Sequence, residues 1–419
     1  MISHCRLIIE RKMKIGFATS EFVTEKLKGG QAAYLGNIAR ILAKNGHEIR
    51  IIVPSEQNGE FVWEEGIIVH RVKYKEEIYS KKVKKNNIIK RFCQLLWSYA
   101  GISVVVNRKV RELYKENEVE IVQYSSLRGI PLFMSKKIPS VVRISAHPTY
   151  WRCAMKELFD IKNTDKEYTV LEKIWLRSFR KANCIFGPSQ MIGQIIGKKI
   201  NREIMTIESP VQVDRKCVPS KIYDNYLKGK PYLLFFGTLN YLKGIQVIAP
   251  ILDAFLDKYK EMYFVFVGKD TNIIHAGHEV KATEYILSHV KEHDDRVIFL
   301  EPVYEKEELN TIIYNSDGCV LPSRIDNLPN TCIEAMALGK IVIGTNGASF
   351  EQLIDDGISG FLCERDDPDN LLSIMIKLMN MTEEEKLVMG ERAKERTRQM
   401  SDDKIYRQLI SIYQEVIQM

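Results

Sequence analysis

Short apolar runs alternate with stretches of helical period almost from end to end of this 419-residue chain, and that alternation restricts its architecture more than any other feature. Runs such as Lys14–Ser20 and Pro231–Gly237 are apolar at successive positions rather than at every second one, as in strands covered on both faces. Strands of that kind, separated by helices, assemble into parallel sheets with helix layers on either side. The expected fold class is therefore α/β, with doubly wound parallel sheets.

The first half carries strand expectations at Lys14–Ser20, His47–Pro54, Ile67–Val72, Glu120–Tyr124, Ser140–Ser145 and Cys184–Pro188, and helix expectations at Gln31–Asn45 and Glu172–Lys181. Periodicity weakens from Ser209 to Lys230, and the alternation restarts at Pro231. Further strands are expected at Tyr263–Gly268, Val297–Leu300, Gly318–Pro322, Ile341–Thr345 and Gly360–Leu362. A boundary at 214/215 follows, giving domains 1–214 and 215–401. Residues 402–419 read as an amphipathic helix with Ile405, Leu409, Ile412, Tyr413 and Val416 on one side. Two such sheets create a cleft at the carboxyl ends of their strands, where they bind ligands.

Composition fits a two-domain globular enzyme: 45% hydrophobic and 27% charged residues exclude disordered and fibrous classes. The net charge of +7 is modest and dispersed, and no nucleic-acid partner is expected. The 8 cysteines form no C-x-x-C pair and no zinc-like cluster with histidine, so reduced thiols in a cytoplasmic chain are the simpler reading. Residues 1–12 carry charges throughout and lack a secretory signal; an extension outside the fold or a misassigned start is expected there. The longest apolar run, Leu95–Val106, is too short to span a membrane and is expected to be a buried helix or strand.

The motif with the most chemistry is Leu321-Pro-Ser-Arg-Ile-Asp326-Asn-Leu-Pro-Asn-Thr-Cys-Ile-Glu334-Ala-Met-Ala-Leu-Gly339. A strand closed by Pro322 leads through a loop into a helix stopped by Gly339, so Asp326 sits on the loop and Glu334 within the helix. Pro329 and Asn330 suit the helix start, where free backbone N–H groups favour an anion such as a diphosphate. Gly237-Thr-Leu-Asn-Tyr-Leu-Lys243-Gly244 also follows a strand and enters a helix, offering Lys243 and backbone N–H groups to a phosphate, or serving as a plain turn. In the first half, Lys28-Gly29-Gly30 opens a helix after a strand and permits close approach of a ligand or a tight turn. His147 follows a strand just before Pro148, a position open to catalysis or to local structure. No G-x-G-x-x-G follows the first strand and no Walker lysine loop occurs, which disfavours a dinucleotide-dependent oxidoreductase and a P-loop enzyme.

Together these pieces resemble the retaining family 4 glycosyltransferases (glycosyl transferases group 1) of the GT-B fold, in which two Rossmann-like domains face each other across a cleft. The resemblance covers nearly the whole chain from Met13. It rests on the E-x7-E-type motif at Asp326 and Glu334, the Glu351 loop, the G-x-L-x-x-x-K-G run from Gly237 to Gly244, Lys28-Gly29-Gly30, and Gly46-His47 with the strand after it.

The resemblance implies transfer of a sugar from a nucleotide-diphosphate donor, UDP- or GDP-linked, to a glycan or lipid-linked acceptor, in cell-surface polysaccharide biosynthesis, without a cofactor or metal. It further implies that Glu334 holds the ribose hydroxyls, that Asp326 and His147 meet the transferred sugar, and that Asn327, Leu328, Pro329, Asn330 and Thr331 bring backbone N–H groups to the sugar and diphosphate. Lys243 is implied on the diphosphate, with Gly237 in its loop and Gly30 beside the phosphates and acceptor. The last helix is expected to pack back on the first domain.

Two departures stand out. Asp326 replaces the family's glutamate, and Thr238 stands where many members carry a phosphate-binding arginine, leaving Lys243, the helix start, Arg128 or Arg324 to stabilise the leaving group. The basic stretch from Arg71 to Arg91, ahead of Leu95–Val106, matches either an anionic inner-membrane surface or a solvated loop before a core helix. Rival readings are a nucleotide-sugar epimerase or glycan phosphorylase, and a catalytically silent binding subunit of a glycan-assembly complex.

Overall fold

The computed structural model describes residues 11–26, 30–74, 88–145, 166–211 and 216–419. The first sheet contains β1 (Lys14–Ala18), β2 (Glu48–Ser55), β3 (Gly59–Glu64), β4 (Ile67–Lys73), β5 (Ile121–Ser125), β6 (Ser140–Arg143), β7 (Cys184–Gly187) and β8 (Met205–Thr206), in the order β3-β4-β2-β1-β5-β6-β7-β8. Neighbours run parallel except β3, which returns antiparallel on β4 at the sheet edge. Alternate positions of one strand serve opposite layers: Ile49, Ile51 and Val53 enter one core and Ile52 the other. The sequence reading has no β3, because its Gly-Glu-Phe-Val-Trp-Glu run is mostly half-buried or exposed and carries little apolar signal.

The second sheet contains β9 (Tyr232–Phe236) and β10 (Tyr263–Val267), then, after the separate hairpin of β11 (Asn272–His275) and β12 (His278–Lys281), β13 (Val297–Leu300), β14 (Gly318–Val320), β15 (Val342–Thr345) and β16 (Phe361–Cys363). Its order is β13-β10-β9-β14-β15-β16, all parallel. Helices cover it, and its core is dominated by Leu, Ile, Val and Phe. The hairpin is absent from the sequence reading: its strands are four residues long and mostly exposed, and the turn Ala276-Gly277 carries the two left-handed residues that a tight hairpin requires.

Strand order fixes where a ligand can sit. In each sheet the chain leaves its first strand to one side and later returns to the other, so β1 lies between β2 and β5 and β9 lies between β10 and β14. Each reversal opens a crevice at the carboxyl ends of the strands beside it.

The 214/215 boundary lies outside the described residues, and the strands on its two sides belong to separate sheets. The chain returns near the same place, where Val211 N donates to Met400 O at 3.0 Å. The helix Asp402–Gln418 then buries Ile405, Leu409, Ile412, Tyr413 and Val416 in the core of the first sheet. Two hydrogen bonds pin it there: Tyr413 Oη donates to Gln123 Oε1 at 2.6 Å, and Tyr406 Oη lies 3.0 Å from His47 Nε2. His47, half of the Gly46-His47 pair, is thus a structural residue, with Nδ1 accepting from Met13 N at 3.1 Å.

The run Leu95–Val106 lies within the helix Ile88–Lys115, with Ile102 and Val106 buried and Trp97 64% exposed. Among the described residues no helix is long and apolar enough to cross a membrane. Most of the Arg71–Arg91 basic stretch lies outside the described residues. Because Leu409 is fully buried at the centre of the returning helix, Leu409→Ala is expected to destabilise the protein by about 2–5 kcal/mol. Thermal denaturation of the variant against the wild type measures it, and an unchanged Tm would mean that the helix is not docked.

Candidate active site

The loop after β9 is built to approach its neighbour closely. The chain turns at Gly237 into a short 3-10 turn, Tyr241–Lys243, whose cap is Asn240: its side-chain oxygen accepts from Lys243 N at 3.0 Å. Gly244 ends the turn at φ +89°, and a Cβ there would stand 2.0 Å from Pro322 O. Only glycine fits, so the β9 loop rests directly on the loop after β14. Arg324 N secures the contact by donating to Leu242 O at 2.9 Å.

That contact brings the two charged residues together. Lys243 Nζ forms an ion pair with Asp326 Oδ2, and Asp326 Oδ1 accepts from Asn327 N at 3.0 Å. Asp326 is only 8% exposed, and burying its carboxylate is tolerable because each oxygen has a donor. Leu328 packs its side chain into the second core. Pro329 caps the helix Asn330–Ala337 without a side-chain hydrogen bond to its first N–H groups, which have no partner inside the helix.

Two of the motif glycines, Gly237 and Gly30, approach this helix start. A Cβ built on Gly237 would lie 3.9 Å from Thr331 Cγ2, and one on Gly30, at the start of the helix Gly30–Lys44 in the other domain, 3.8 Å from Asn330 Nδ2. Glu334 stands one turn further along, half-buried. Gly30 and Gly237 therefore approach the helix start at Asn330 and Thr331, and Lys243 and Asp326 pair on the loop that leads into it. His147, Lys28 and Gly29 lie outside the described residues.

The seam between the domains reveals residues that sequence reading did not find. Asn327 was singled out for its backbone, yet its side-chain Nδ2 donates across the cleft to Ser145 O, at the carboxyl end of β6. Ser349, in the loop after β15, donates to Asp326 O at 3.2 Å and lies 3.4 Å from Ser189 Oγ of the first domain. Gln352 accepts from Gln190 N at 2.9 Å and donates to Glu208 Oε1 at 2.6 Å, while Arg396 pairs with Glu208 at 2.5 Å. None of these pairings leaves a local pattern in the sequence.

The arginines divide differently from expectation. Arg324 is buried and paired with Asp366, so its charge is already engaged. Arg143, 5% exposed at the end of β6, stacks 3.4 Å from the centre of the Tyr34 ring and donates to Ser145 Oγ at 3.0 Å and Ser209 Oγ at 3.2 Å. Burial pushes its guanidinium below the usual arginine range. It thus braces the residue whose carbonyl receives Asn327.

Residues 230–381, which run from the start of β9 through the helix Pro368–Met379, match the family described as glycosyl transferases group 1. N-acetyl-alpha-D-glucosaminyl L-malate synthase of Bacillus anthracis is 33% identical over 125 residues, 30% of this chain and 32% of that protein. The chain matches about a third of the length of such curated relatives. Sucrose-phosphate synthase from Thermosynechococcus elongatus superposes with a TM-score of 0.70 over 97% of this chain and 99% of that one, at 13% identity. An E. coli structure described as trehalose-6-phosphate bound with UDP-2-fluoro glucose superposes at 0.68 over 96% and 99%, at 10% identity. The chain therefore has the GT-B fold throughout, and residues 230–381, which carry Lys243, Asp326 and Glu334, match the glycosyl transferases group 1.

Proposed function

We propose that the chain transfers a sugar from a UDP- or GDP-linked donor to a hydroxyl of a glycan or lipid-linked acceptor, with retention at the anomeric carbon. The observation that carries this reading is the convergence of Lys243, Asp326 and the uncapped start of the helix Asn330–Ala337 at the β9/β14 crevice. A lysine and unpartnered helix N–H groups suit a diphosphate, whose charge they offset in both the bound donor and the leaving group. The family match over the second sheet supports the same reading.

In this reading the diphosphate lies at the helix start and draws the Lys243 ammonium toward it, while Asp326 accepts hydroxyls of the transferred sugar. Glu334, one turn into the helix, receives the ribose hydroxyls. His147 is assigned to the transferred sugar by the resemblance alone. The bond between the anomeric carbon and the phosphate oxygen breaks, the acceptor oxygen bonds that carbon on the same face, and the acceptor proton passes to the leaving phosphate. No separate base is required. Catalysis then rests on positioning and on fixed charge around the leaving group.

A thermal-shift series with UDP, GDP, ADP and their sugars tests the donor assignment. A uridine or guanosine diphosphate is expected to raise the Tm of the wild type and to do so far less in Glu334→Ala; an equal shift in both would remove Glu334 from the ribose. Stereochemistry is read separately by proton NMR of the product formed from an α-linked donor. An α-linked product is expected, and a β-linked one would rule out retention.

A further inference from the structure

The turn that carries Lys243 is held on two sides, one of them the loop after β14. On the other lies the segment after β10, where the β11–β12 hairpin stands apart from the main sheet. Leu239 N donates to Lys269 O at 3.0 Å and Thr271 Oγ1 donates to Leu239 O at 2.6 Å, so both backbone groups of Leu239 are fastened to the foot of the hairpin. The foot is itself closed: Ala282 N donates to Thr271 O at 2.9 Å, and Asp270 Oδ2 accepts from Thr283 Oγ1 at 2.9 Å.

Tyr241, the first residue of the turn, is buried, and its carbonyl accepts from Gly244 N at 3.1 Å to close the turn over Lys243. Its ring meets the Tyr285 ring edge-on, with centroids 5.4 Å apart at 79°, and its Oη lies 3.4 Å from His275 Nδ1 on the hairpin. His275 completes a triangle by packing on Tyr285 at 4.9 Å, and His289 also packs on Tyr285, at 4.6 Å. These are the separations of attractive edge-to-face contacts, whereas 3.4 Å is long for a hydrogen bond, so ring packing carries the cluster. Burial raises both phenols, Tyr285 to about 12, and both therefore stay neutral near pH 7. The Lys243 ammonium is a point charge on a flexible stem, and its placing depends on where the backbone of this turn sits.

We propose that Tyr241 is a positioning residue for the donor diphosphate: wedged between His275 and Tyr285, it fixes the turn that aims Lys243, and the β11–β12 hairpin is the strut behind it. The hairpin acts through Tyr241 rather than by touching the ligand. The diphosphate is that of the sugar-transfer reading, on which this rests, while the coupling of hairpin to turn stands on the ring contacts themselves.

Calorimetric titration of the full chain tests this with two probes: whichever of UDP, GDP and ADP most raises the wild-type Tm, and the monophosphate of the same base, which lacks the phosphate that would meet Lys243. The variants are His275→Ala, Tyr241→Leu, His275→Phe and Lys243→Met. His275 is exposed, so His275→Ala leaves the core intact even where Tyr241→Leu disturbs folding. His275→Ala and Tyr241→Leu are expected to weaken the diphosphate about three- to tenfold and to leave the monophosphate nearly unchanged. His275→Phe restores a ring and is expected to recover the wild-type affinity. Equal loss of both nucleotides would mark a role in the fold alone and overturns the proposal; so does a diphosphate affinity that His275→Ala leaves unchanged. Lys243→Met separates the two readings. If it weakens the diphosphate while His275→Ala and Tyr241→Leu do not, the strut alone falls; if it has no effect, Lys243 is not at the diphosphate and the donor reading falls with it.

Discussion

The ion pair between Lys243 and Asp326 is the interaction on which the candidate site depends, and it exists because two parallel strands are neighbours. The residues are 83 positions apart, and only the adjacency of β9 and β14 brings their loops together. The close approach also requires Gly244, since any side chain there would collide with Pro322 O. Sheet order, one glycine and one buried carboxylate thus form a single dependency. In water such a pair contributes little, but with Asp326 buried, loss of Lys243 leaves a carboxylate short of a donor.

The same loop ties the candidate site to the relation between the domains. Asp326 and Asn327 are adjacent, one paired with Lys243 and the other bonded to Ser145 of the opposite domain. Ser349 touches both the Asp326 carbonyl and Ser189. A ligand that pulls Lys243 away from Asp326 therefore acts on a segment that also carries the seam. Arg143 keeps the first-domain side of that seam in place through serine hydroxyls and the Tyr34 ring.

How much of this the sequence revealed follows the range of each interaction. Strands β9 and β10 are apolar at successive positions and buried throughout or nearly so, and their periodicity locates them to within a residue or two. The helix start at Asn330 is visible from Pro329, and the approach at Gly237–Gly244 from its glycines. Edge elements such as β3 and the β11–β12 hairpin are weakly apolar and leave little trace. Ser349, Arg143 and the side chain of Asn327 act across 23 to 182 residues of chain, where their partners are set by packing rather than by local pattern. Arg324 shows the converse: its sequence position suggests a phosphate ligand, and only the structure reveals Asp366 beside it.

The most direct measurement is a double-mutant cycle on nucleoside diphosphate affinity, by calorimetry, for Lys243→Met, Asp326→Asn and the pair. If Lys243 is shared between Asp326 and the diphosphate, Lys243→Met weakens binding about tenfold or more. Asp326→Asn then strengthens it, and the double variant resembles Lys243→Met alone. Affinity that is the same in the wild type and Lys243→Met would contradict the account.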